Sequence, residues 1–136
     1  TRKLLKKYLF PYYKNEKFLS EEVVYNQLDT EGNLIILNDL VYGMEYLADG
    51  ITRNLIKTWK ASPRGVICLL HSRYNKACLL RGWRKPYLLM RTILVLNAFC
   101  INRNLSILKY SPNTILSILL QLPAVLVSYI KFGERG

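Results

Sequence analysis

Apolar residues recur three and four apart over most of this chain, and Pro, Gly and Ser mark where the stripes stop. From Asn33 onward, Leu34, Leu37, Val41, Met44, Ala48, Ile51 and Leu55 form the clearest amphipathic stripe. It predicts a helix packed on other helices, with Gly43 and Gly50 weakening its ends or dividing it. Leu4, Leu5, Tyr8 and Leu9 share a face of an earlier, basic segment, so residues 1–19 read as an N-terminal helical arm that Pro11 ends or kinks. Ser20-Glu21-Glu22 has a capping hydroxyl and two carboxylates suited to the positive end of a helix. Ser62-Pro63 and Ser111-Pro112 each place Ser before a Pro at the first helical position, where the missing N–H costs nothing. They predict helices to about Gly82 and about Phe132, the latter stopped by Gly133; Pro86 starts or kinks another to about Cys100. No Asn-Gly or Asp-Gly hairpin and little strict alternation occur. The expectation is one all-α domain over residues 1–136, with five to six helices and no sheet.

The last stripe raises the question of a membrane. Tyr110 to Ile130 is 21 residues without a charge, long enough to cross a bilayer. Ser111, Asn113, Thr114, Ser117, Gln121 and Ser128 interrupt it, and its densest apolar part, Ile115 to Ile130, is 16 residues, short of the roughly 20 a span needs. A helix apolar nearly all round otherwise belongs in a core or a subunit interface. Burial against protein is expected, and no membrane. The alternative is a small basic subunit of an organellar membrane complex, anchored by residues 110–130.

Charge changes the picture further. The chain has 20 Lys and Arg against 9 Asp and Glu, a net +11. Eight acids lie in the first 49 residues and the ninth is Glu134, while thirteen basic residues run from Arg53 to Lys131. That long half cannot neutralise itself, so carboxylates or phosphates from elsewhere, or water, must meet it. Three cysteines cannot all pair within one chain, which points to a reducing compartment.

Catalytic signals are poor. His71 is the sole histidine and has no acid near it in sequence. No Gly-rich phosphate loop or dinucleotide fingerprint occurs. Cys68, His71, Cys78 and Cys100 lack the close pairs of a structural zinc site and sit at helical positions among leucines. No enzyme activity, metal or cofactor is expected. The run Arg73, Lys76, Arg81, Arg84, Lys85, Arg91, interleaved with Tyr74, Trp83 and Tyr87, admits two readings. It is a nucleic-acid face of cations and stacking rings, or a basic surface complementary to an acidic protein.

Leu69-Leu70-His71-Ser72-Arg73-Tyr74-Asn75-Lys76-Ala77-Cys78-Leu79-Leu80 resembles a helix of the Psf-one subunits of the eukaryotic GINS complex. That helix reads Leu-Leu, a short spacer, then Arg-Asn-Lys/Arg-Arg-Cys-Leu-Leu-Ala-Tyr. Asn75, Lys76, Cys78, Leu79 and Leu80 match in place. Tyr74 separates Arg73 from Asn75, Ala77 stands for an Arg, and Arg81-Gly82 for Ala-Tyr. Leu28-Asp29-Thr30-Glu31-Gly32 sits where the family has an acidic turn before a long helix. Ser111-Pro112 with Leu119, Leu126 and Tyr129-Ile130 is similar to a later family helix.

The resemblance implies a helical A-type domain and a non-catalytic scaffold role. The partners it implies are Sld-five, Psf-two and Psf-three subunits in a hetero-tetramer, which joins the MCM ring and Cdc-forty-five as the replicative helicase in the nucleus. DNA contact would be indirect or weak. Arg73, Asn75, Lys76, Cys78, Leu79, Leu80, Leu119, Leu126 and Tyr129 are the implied family-motif and interface positions; Arg81, Arg84, Lys85 and Arg91 form a separate candidate basic patch. Family members carry a further β-rich B domain, and this sequence stops at Phe132-Gly133-Glu134-Arg135-Gly136, where the linker to it would start.

Overall fold

The computed structural model describes residues 6–31 and 54–133. The stripe from Leu34 to Ile51 lies outside the described residues; its last member, Leu55, opens a helix that is described. Seven α-helices and one π-helical turn, with no strand, make up the regular structure of the described residues, one helix more than the sequence pattern predicts. They are α1 (Glu22–Leu28), α2 (Leu55–Ala61), α3 (Pro63–Leu79), α4 (Arg84–Asn102), α5 (Ile107–Tyr110), α6 (Thr114–Leu119) and α7 (Gln121–Val127), followed by the π turn Ser128–Phe132.

The centre is the hairpin of α3 and α4, joined by four residues in which Gly82 takes φ +70°. α3 opens at Ser62-Pro63, as the sequence predicts, but the Ser62 side chain does not cap it. Glu16 does: its two carboxylate oxygens accept from the Arg64 N–H at 3.0 Å and the Gly65 N–H at 2.7 Å. Ser62 Oγ instead accepts from the Phe18 N–H at 3.2 Å. The chain before α1 therefore lies across the start of α3, so closely that a Cβ on Gly65 would stand 2.2 Å from the Phe18 carbonyl oxygen. This use of residues 9–20 leaves them non-helical, against the expected arm over 1–19; of the described part, only Lys6 and Lys7 are helical. Pro11 and the positive φ of Asn15 fit that irregular path.

α3 ends three residues before Gly82, because Leu80 turns to extended backbone. α4 runs two residues past Cys100 and closes with Asn104 at φ 53°, the Leu105 N–H reaching the Cys100 carbonyl and the Asn104 N–H that of Ile101. Thr92, Ile93, Leu96, Asn97, Phe99 and Cys100 face inward at helical spacing, whereas none of Arg84 to Arg91 is buried.

The single helix expected from Ser111 to Phe132 is broken into three pieces. Pro112 holds Ser111 in extended backbone (ψ 130°), and Asn113 caps the true start by accepting from the Leu116 N–H at 3.0 Å. The second break, at Leu120, precedes Pro123, which has no N–H for the Leu119 carbonyl. α7 and the π turn still lie along α4, and α1 and α2 pack on α3. The core joins Val23, Val66, Leu69, Leu70, Leu96 and Ala124 to a trio of rings. Phe99 and Phe132 meet edge-to-face at 5.7 Å, and Trp59 stands 6.4 Å from Phe99 and 6.3 Å from Phe132.

Candidate interaction surfaces

Two surfaces stand out, one apolar and one basic. The apolar one comes from α6, α7 and the π turn. Their buried residues are small or aromatic: Ser117, Ala124, Ser128 and Phe132. Small side chains let the backbone approach α4 closely, and Asn97 Nδ2 donates to the Ser117 carbonyl at 2.8 Å there. The large apolar residues consequently face away. Ile115, Ile118, Leu119, Leu122, Val125, Leu126 and Tyr129 follow one another three and four apart along the outer side, and all are exposed, Leu122 by 84% and Tyr129 by 81%. Among the described residues, only the narrow inner edge of this segment is covered. Leu119, Leu126 and Tyr129, three of the implied interface positions, stand together in this outward stripe. No described helix is long and apolar enough to cross a membrane.

The basic surface is a groove of about 380 Å³ between α1, α3 and α4. Leu70 and Ala77 come from α3, Leu80 from the turn that follows it, and Leu88 and Val95 from α4. Arg73, Lys76, Arg91 and Lys131 bring four cations to it, against the single carboxylate of Glu22 among the described residues. Two of the four are neutralised. Arg73 grips Glu22 through two hydrogen bonds of 2.8 and 2.6 Å, and Lys76 meets Asp29 at 2.6 Å. The Arg73 bonds hold the Glu22 carboxyl below its ordinary range. Arg91 and Lys131 meet no acid among the described residues. Burial first, then repulsion from Arg91 and Arg73, pushes the Lys131 ammonium down from its usual value.

The implied motif positions therefore divide. Arg73 and Lys76 tie α3 to α1, Leu80 lines the groove, and Asn75, Cys78 and Leu79 are exposed on α3. Tyr74, one of the departures from the motif that this stretch resembles, accepts a hydrogen bond from the Asn113 side chain at 3.3 Å. In the basic patch, Arg81 and Arg84 are exposed, Arg84 over the Trp83 ring, and Lys85 is half-buried. Arg91 belongs to the groove instead. The patch and groove are thus separate surfaces, and the stacking rings Trp83 and Tyr87 lie outside the groove lining. Sequence reading missed Lys131 and Glu22 as groove residues; the one available signal was the segregation of acids into the first third.

His71 is engaged in structure: its Nε2 donates to the Tyr110 carbonyl at 2.6 Å, tying α3 to α5. Cys68, Cys78 and Cys100 are half-buried, exposed and buried, and no described group of His, Cys, Asp and Glu is placed to hold a metal. Burial pushes the Cys100 thiol up to about 11. Tyr13 rises to about 12 through burial and its contact with Cys68. No family model matches this sequence, no curated protein matches it, and no solved structure matches its fold.

Proposed function

We propose that this chain is a non-catalytic scaffold subunit of a GINS-type hetero-tetramer, acting in the nucleus as part of the replicative helicase. The observation that carries the scaffold reading is the outward stripe of α6 and α7. Seven large apolar residues in helical register, left in water, favour association strongly, since each contributes about 1.5–3 kcal/mol when fully covered. The choice of GINS rests on the resemblance of Leu69–Leu80 and on the all-α architecture. In this reading α6, α7 and the π turn pack against helices of Sld-five-, Psf-two- or Psf-three-type subunits. The exposed cations of Arg81 and Arg84 then add orientation more than affinity.

Co-expression tests it. The full chain made alone is expected in the insoluble fraction, and with the three sister subunits as a soluble complex of equal proportions. A well-behaved monomer alone, or failure of all three sisters to co-purify, overturns the proposal.

A further inference from the structure

We propose that the groove between α1, α3 and α4 docks an acidic, amphipathic peptide segment of a partner protein. The proposal stands whatever the assembly around the outward stripe is. Floor and rim set two requirements that one ligand must meet together. The floor, with Leu80 just after α3 and Leu88 and Val95 of α4, excludes water only if apolar side chains enter it. The rim presents Arg91 and Lys131, which no acid among the described residues neutralises. Arg73 and Lys76, already bridged to Glu22 and Asp29, hold the walls in position. A carboxylate brought between Arg91 and Lys131 would offset both the burial and the repulsion from Arg91 and Arg73 that push the Lys131 ammonium down.

The volume, about 380 Å³, suits side chains of one short segment; binding clefts typically run from roughly 300 to 1,000 Å³. Nucleic acid fits less well. Among the described residues no aromatic side chain lines the groove to stack a base, and a sugar–phosphate chain has no apolar side chains to cover the leucine floor. An acidic peptide with apolar side chains at intervals satisfies both parts of the site, and the guanidinium of Arg91 can take a carboxylate through two parallel bonds.

The experiment uses the full chain fused to a soluble carrier and a fluorescein-labelled peptide of repeating Leu-Glu-Glu, read by fluorescence anisotropy. Saturable binding is expected, with Arg91→Gln and Lys131→Gln each weakening it about tenfold, equivalent to about 1.4 kcal/mol. Leu88→Asp is expected to weaken it at least as much. Arg81→Gln and Arg84→Gln, outside the groove, are expected to leave it unchanged, and circular dichroism checks that every variant folds. A repeating Leu-Gln-Gln peptide that binds equally well overturns the proposal, as does no saturable binding. Equal weakening by Arg81→Gln and Arg84→Gln would reveal diffuse charge attraction and also overturn it. So would a labelled oligothymidylate that binds more tightly and displaces the peptide.

Discussion

Asn97 shows how much a single polar residue decides in this molecule. It is fully buried on α4, donates through Nδ2 to the Ser117 carbonyl, and leaves Oδ1 without a partner. That bond fixes where α6 sits on α4, and so which residues of the later helices face out. Asn97→Ala should destabilise the chain by about 1–3 kcal/mol, measured by urea unfolding of the carrier fusion. Glu22 makes a second residue-scale case. Its folded pKa is depressed by Arg73, so its contribution is present above the unfolded carboxyl value of 4.5 and is lost as pH falls through the folded value. Both partners are partly exposed, which limits the pair to about 0.5–1 kcal/mol. Glu22→Gln should remove that contribution at neutral pH and flatten the loss of stability below pH 4.5 in acid titrations followed by circular dichroism.

At the scale of elements, the capping of α3 is the feature with the widest consequence. A carboxylate from the irregular chain before α1, not the local Ser62, satisfies the first N–H groups of this 17-residue helix. Glu16→Ala should cost about 1 kcal/mol, comparable to the loss of an ordinary N-cap. It should also free residues 9–20 from α3, which proteolysis at Lys14 and Lys17 would detect. Pro123 acts on a second element by breaking the last helix after α6. The two halves of the outward stripe consequently meet at a join rather than along one straight rod.

For the whole molecule, the arrangement of charge and apolar surface sets behaviour in solution. Glu22 of α1 and Asp29 just after it neutralise part of the acid-free half through Arg73 and Lys76, and Arg91 and Lys131 gather at the groove. The stripe of α6 and α7 is the largest run of exposed apolar side chains along the described helices. Leu122→Asp with Leu126→Asp should change folding stability by no more than about 0.5 kcal/mol, because both are exposed. The same pair should raise solubility of the chain alone and, under the function proposed above, abolish co-purification with the proposed sister subunits. Retained co-purification would move the interface to another surface.

Much of this fold was legible from residue order. The helix from near Pro86 to near Cys100, the start of α3 at Ser62-Pro63 and the closing of the last helix near Gly133 follow from Pro and Gly stereochemistry, which acts within a few residues. The segregation of acids from bases was equally plain. Tertiary structure alone decided which side of the last helices turns inward. A segment apolar nearly all round has no preferred face of its own; close approach to α4 selected the small residues Ser117, Ala124 and Ser128, and that choice sent the leucines outward. It also decided the pairings of distant residues, such as Glu22 with Arg73, 51 positions apart, or Arg91 with Lys131 across one groove. Such partners are chosen by how packed helices bring side chains together, and no local pattern records that.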